Sequence, residues 1–325
     1  MTHPIVPYAR TAYASGWAAS GGPMTDRVRA GCIAAIEWAI AHADDPDVIE
    51  ATLKLGSLEG VWALIYARRD QLYADNVQAV LDAWKQFVRG IDVKQFVRAI
   101  RSQAGLNEAV NKTTVEYAAG LILGALMNWL SNHDWLKLQT AVANAIQSGL
   151  AEGQVGAMAL VADKNGATGF SFDKAFADAS QQYANNPYLA GVTGWIGALL
   201  EAIAKLLGKK MAQAVDNGDS WDDMNEEAEE ILNDPVDATH YIIDQITHLA
   251  ISAGILWWLR GVGAANIWYI TAGDERVCAE CDSAEANSPY QIMDVPTPPL
   301  HTRCRCSLYT DDPLSGDLIA QYLGE

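Results

Sequence analysis

At 325 residues, half of them apolar and 19% charged, the chain has room for two or three domains and enough apolar side chains to bury a core, which excludes global disorder. The formal net charge of -18 is uneven: residues 1–110 carry 11 Lys/Arg against 12 Asp/Glu, and residues 111–325 carry 11 against 28. So acidic a surface argues against sequence-independent attachment to a phosphate backbone, which depends on Lys/Arg displacing counterions, and favours staying soluble beside nucleic acid without sticking to it.

The first residues, "MTHPIVPYARTAYASGW", hold two prolines and no apolar run of the secretory kind, so no export signal is expected and the thiols are read as those of a reducing compartment. Thr25 is a candidate N-cap for a helix whose apolar residues are Val28, Ile33, Ile36 and Ile40, with Cys32 as a packing thiol. A long Ala- and Leu-rich helix is predicted from Leu58, with a stop at Gly90 and a new N-cap at Asp92. "KQFVR" occurs at 85–89 and again at 94–98, a spacing that matches no repeat architecture. Residues 117–133 carry no formal charge but end in Asn and His, and are expected to form a buried bundle helix and no membrane span. Asn165-Gly166 lies between two short apolar runs, which predicts a hairpin or tight turn within 153–173; the spacing of the acidic residues there excludes an EF-hand loop.

The second half opens on a predicted helix with Leu189, Val192, Ile196, Leu199, Ile203, Leu206 and Leu207 on one face. From Asp216 to Asp244 there are 11 acidic residues and no Lys or Arg. Ser220 with Asp223 approximates a capping box, and Glu226 to Glu230 form a solvated helix face. Asp234-Pro235 restarts a helix. That helix runs to Gly261, with 15 uncharged residues from 245 to 259, too short to span a bilayer and suited to a core. His240, Asp244 and His248 share one face of it; local hydrogen bonding is their expected role, with a metal or acid–base role as the alternative.

Four of the five cysteines then fall within 30 residues: Cys278, Cys281, Cys304 and Cys306, with His301 beside them. A short strand with alternating apolar residues, "ANIWYI", delivers a C-x-x-C turn, in which two sulfurs reach one tetrahedral ion. Cys304 and Cys306 differ by two, so on a strand both side chains point to one face. Five donors are thus offered to a four-coordinate site. Cys278, Cys281 and Cys304 are the expected core ligands, with His301 or Cys306 the fourth. Zinc held this way is structural, because three or four thiolates close the shell against water. The spacer "DSAEANSPYQIMDVPTPPL" has four prolines and little apolar mass, and a bound ion would supply the folding free energy it lacks. A redox C-x-x-C pair lacks the strand–helix setting of a thioredoxin-like motif, and disulfides would require an oxidising compartment.

"WYITAGDERVCAEC", the Pro-rich spacer and "PPLHTRCRC" together resemble the C-terminal domain of phage Mu protein F-like minor head proteins. The resemblance covers about residues 216–310, with weaker similarity of "LEGVWALIYARRDQLYADNVQAVLDAW" to the helical N-terminal parts of actinobacterial-phage versions. Thr302 stands where the family usually has Pro after the His. The resemblance implies a minor capsid or head-morphogenesis protein of a tailed bacteriophage. Such a protein associates with the portal and other capsid proteins, is located inside the virion head (in the host cytoplasm during assembly), and acts in assembly or DNA ejection close to packaged DNA.

The expected fold is mainly α. A helical N-terminal domain (1–150) and a helical middle region opening with the hairpin (151–235) precede a small α+β C-terminal domain (236–325) carrying the Cys/His cluster. No catalytic role is expected, since G-x-S-x-G, H-E-x-x-H and P-loop motifs are absent from the sequence. The alternatives are a phage-encoded enzyme, such as a maturation protease or toxin-type effector, and a zinc-stabilised nucleic-acid-associated module. Arg303 and Arg305 interleave with the cysteines, but residues 260–325 hold only 4 Lys/Arg against 10 Asp/Glu.

Overall fold

The structure, a computed structural model, describes residues 58–104, 112–165, 170–184, 191–217, 221–233, 235–271, 277–301, 304 and 306–322. The expectations for Thr25 to Ile40, Leu189, Ser220, Asp234, Thr302, Arg303 and Arg305 lie outside these residues. The chain is mainly helical with a small sheet near its C-terminal end. Its elements are α1 (Leu58–Phe87), α2 (Val93–Ala104), α3 (Lys112–Asn132), α4 (Leu136–Lys164), α5 (Phe172–Tyr183), α6 (Val192–Asn217), α7 (Trp221–Asn233), α8 (Val236–Gly261), β1 (Asn266–Ile270), α9 (Ala279–Ala286), β2 (Tyr290–Gln291) and β3 (Ser307–Tyr309).

The residues divide into two compact units, one of 1–73, 147–185 and 247–325, the other of 74–146 and 186–246. Each is assembled from separated stretches, so they do not coincide with three consecutive segments bounded at 150 and 235. Three of the four boundaries fall inside α1, α4 and α8, long helices that no composition change interrupts.

In the second unit α3 packs on α6, α6 on α7, and α2 on both α3 and α7. The apolar face expected of α6 is the buried one: Val192, Ile196, Leu199, Ile203 and Leu207 are all inside. α3 is one-sided, with Ala118, Ile122 and Leu126 buried and Tyr117 and Met127 exposed. Trp84 is fully buried, and its indole N–H donates to the Leu232 carbonyl at 2.6 Å. Asp92 caps α2 as expected, its Oδ1 accepting from the Gln95 amide at 3.0 Å.

In the first unit α4 and α8 approach so closely that only glycine fits. A Cβ on Gly153 would lie 1.9 Å from the Ile251 carbonyl oxygen, and one on Gly254 would lie 2.0 Å from that of Leu150. This explains why 153–164 is helix and no hairpin strand: the Gly- and Ala-rich run is buried from Ala151 to Ala162, with Gly153 against α8 and Gly156 facing Ile65 of α1. Packing on a neighbour decides its conformation, and the turn signal at Asn165 marks the end of α4 instead.

α8 ends in a Schellman motif. Gly263 has φ +81°, its amide donates to the Arg260 carbonyl, and the Ala264 amide donates to that of Leu259. The turn sends the chain into β1, the centre of a three-stranded antiparallel sheet in the order β2-β1-β3. Asn225–Gly261 is long and apolar enough to cross a membrane by length and composition, but 61% of its most apolar window is buried within the protein, as in a core helix.

Candidate metal centre

Alternation along β1 places Ile267 and Tyr269 inward, both at most 1% exposed. The register sets Tyr269 opposite Leu308 and Ile270 opposite Ser307, so β3 brings the chain just after Cys304 and Cys306 alongside β1. Those cysteines are buried but precede the strand, which starts at Ser307. Asp312 fixes the start of β1, its carboxylate accepting from the Asn266 amide at 2.9 Å and the Asn266 side chain at 3.0 Å.

Cys278 is the N-cap of α9, its sulfur accepting from the Cys281 amide at 3.4 Å. The C-x-x-C is therefore the first turn of a helix, with both sulfurs held at its N-terminal end. On the other side of the spacer, the Cys304 amide donates to the His301 carbonyl at 3.2 Å, holding these two members of the second donor set together.

The five expected residues converge. Cys278, Cys281 and His301 place their donor atoms within 4.8 Å of one another, and so do Cys281, Cys304 and Cys306. Cys281 belongs to both trios, while Cys278 and Cys304 are not together in either. Its sulfur lies 3.2 Å from His301 Nε2 and 3.9 Å from Cys304 Sγ. Two thiolates on one tetrahedral zinc, each about 2.3 Å from it, stand about 3.8 Å apart. The donors thus fit a metal ion in both chemistry and spacing.

The sulfurs share protons unequally. A hydrogen bond from Cys306 pulls Cys304 down to about 4, and that same bond, with burial, raises Cys306. Burial pushes Cys281 up to about 11. Packing these thiols together makes full ionisation costly unless a cation compensates it.

The cluster is also part of a hydrophobic core. Cys281, Cys304 and Cys306 are buried with Ile251, Ile255 and Leu259 of α8, Ala157 of α4, and Ile267, Ala284, Val295 and Leu308. The proline-rich spacer contributes more than its composition suggests, since Val295 is buried and Ile292 and Leu300 pack on the same core. The tail is thus built onto α8 as well as around its sulfurs.

Two further side chains border the cluster: His248, which the sequence singles out, and Tyr269, which it does not. The Tyr269 hydroxyl lies 3.5 Å from Cys281 Sγ and 3.9 Å from Cys304 Sγ; burial, then its bonds to the thiols, raises this phenol well above its ordinary range. Its inward position was available from the alternation of β1. His248 of α8 places Nε2 2.7 Å from the carbonyl oxygen of Cys306, a bond across 58 residues where the sequence predicts local hydrogen bonding.

No family model, curated protein or solved structure matches the chain. What the cluster does rests on its own donors.

Proposed function

We propose that the chain is a non-enzymatic structural protein of a tailed-bacteriophage head, a minor capsid or head-morphogenesis protein of the phage Mu protein F-like kind. Its C-terminal part is stapled by a structural zinc ion. The observation that carries this is that a C-x-x-C helix start and an H-x-x-C-x-C segment, on opposite sides of a proline-rich spacer, bring their donors into two trios that share the buried Cys281. That order of strand, C-x-x-C, spacer, His and paired Cys is the one the resemblance rests on.

Zinc suits a set of soft sulfurs with one imidazole, and four such ligands leave no position open for water or substrate. Cys281, common to both trios, would be the central ligand. The other three ligands would come from Cys278 and His301 on one side and Cys304 and Cys306 on the other, leaving one of these four out of the shell. The ion would tie α9 to the approach of β3, in an acidic chain suited to residing near packaged DNA without binding it. Portal and capsid proteins are the proposed partners.

The test is the location of the polypeptide. Mass spectrometry of purified phage heads, with and without portal, should find the chain in particles and should lose it with the portal. Absence from every particle would overturn the proposal. Retention on DNA that falls steeply with salt would favour a nucleic-acid-binding module instead.

A further inference from the structure

We infer that the Tyr269 hydroxyl is a positioning donor for the metal centre, giving its single proton to the thiolate of Cys281, with Cys304 sharing it at longer range, and tightening their grip on the ion. This rests on the metal reading of the cluster. Three or four thiolates around a divalent cation leave a net negative charge. Here Cys281, Cys304 and Cys306 are only 1–3% exposed, so water cannot solvate that charge, and protein donors must do so. Tyr269 brings an O–H to 3.5 Å from Cys281 Sγ and 3.9 Å from Cys304 Sγ, and Cys281 is the sulfur common to both trios.

The position is otherwise apolar: Tyr269 is 1% exposed and packs among Ile267, Ala284 and Leu308. Phenylalanine would fill it without burying a hydroxyl. A buried phenol has to donate to avoid a desolvation cost, and the sulfurs are within reach of its oxygen. Its backbone is fixed independently, by pairing opposite Leu308 and by the Tyr269 amide donating to Ser288 Oγ at 2.8 Å. The hydroxyl is therefore delivered to the sulfurs by the strand and does not depend on them for its place.

Tyr269→Phe in the full chain tests this, with Co(II) as a spectroscopic probe and Zn(II) affinity measured by competition with a chromophoric chelator. Tyr290→Phe is the control, because that hydroxyl donates to the Ala284 carbonyl at 2.9 Å from the neighbouring strand. Loss of an outer hydrogen bond to a ligand weakens metal binding about tenfold or more. Tyr269→Phe should therefore weaken zinc about tenfold and move the sulfur-to-cobalt charge-transfer bands to lower energy, while Tyr290→Phe should change neither. If wild type binds Co(II) through sulfur but Tyr269→Phe leaves bands and affinity unchanged, the inference fails and the metal site stands. Equal shifts in both variants would reduce the effect to general loosening and also overturn it. If wild type shows no sulfur-to-cobalt bands at all, the metal reading fails first, and the inference with it.

Discussion

Gly153→Ala should destabilise the protein, although alanine is the better helix former. The Cβ it adds would meet the Ile251 carbonyl oxygen at 1.9 Å, its carbon at 2.7 Å and its Cα at 2.9 Å. These are backbone atoms in the middle of α8, so no side chain can turn aside. Reaching even 3.0 Å requires the helices to part by about 1 Å, with loss of close packing along the crossing. Overpacking of this kind costs about 3 kcal/mol, while exchanging glycine for alanine within a helix returns about 1 kcal/mol. The net expectation is about 2 kcal/mol of lost stability, read as a lower urea midpoint in far-UV circular dichroism. Gly124→Ala is the matched comparison: it is exposed, and nothing lies within 4 Å of its added Cβ, so it should gain about 1 kcal/mol. Gly254→Ala forces the same separation from the other helix, with Leu150 O at 2.0 Å, so the double variant should cost less than the sum of the two. Equal midpoints for Gly153→Ala and Gly124→Ala would refute the close crossing of α4 and α8, and with it the platform under the sulfur cluster.

Arg68→Ala should cost about 3 kcal/mol, because it leaves Glu152, 1% exposed and bonded to the guanidinium at 3.0 Å, as a buried unpaired carboxylate. Asp173→Ala removes the other partner of Arg68, whose side chain is 96% exposed, and should change stability by less than about 0.5 kcal/mol; thermal melts of the two variants separate the cases. Tyr183 donates to Gln154 Oε1 at 2.7 Å and stacks on Trp257, and burial pushes it up from 10.0 to about 12. Its hydroxyl is protonated in both states below pH 10, so the shift is harmless there. As pH rises from about 10 to about 12 the unfolded chain ionises first, and about 3 kcal/mol is lost at roughly 1.4 kcal/mol per pH unit. Tyr183→Phe should therefore show a shallower alkaline loss of stability than wild type, and an identical pH profile would contradict the assigned burial.

Much of the fold can be read from the chain because its helices are strongly patterned. The face of Val192, Ile196, Leu199 and Ile203 is buried as its spacing requires, and Asp92 caps the helix it announces. The same local logic fails at 153–164, where a short apolar run before Asn165-Gly166 suggests one arm of a hairpin. Its conformation is decided by α8, about a hundred residues later in the chain, and no local window contains that information. At the candidate site, the donor types and the C-x-x-C turn follow from sequence, because cysteine spacing has few other uses in a chain of this kind. The sharing of Cys281 between two trios does not, since it depends on how the turn after His301 closes. Likewise, the spacer looked coreless only because its core partners, Ile251, Ile255 and Leu259, belong to the preceding helix.

The most direct test of the sulfur centre is metal content with the melt measured alongside. Protein purified without added metal should carry one zinc per chain, by elemental analysis and native mass spectrometry. Chelation should release it and lower the melting temperature. Cys281→Ser should abolish uptake, and should do so more completely than Cys278→Ser or Cys306→Ser, each of which touches only one trio. A chain that carries no stoichiometric metal, and melts at the same temperature after chelation and after Cys281→Ser, would contradict a metal-stapled tail.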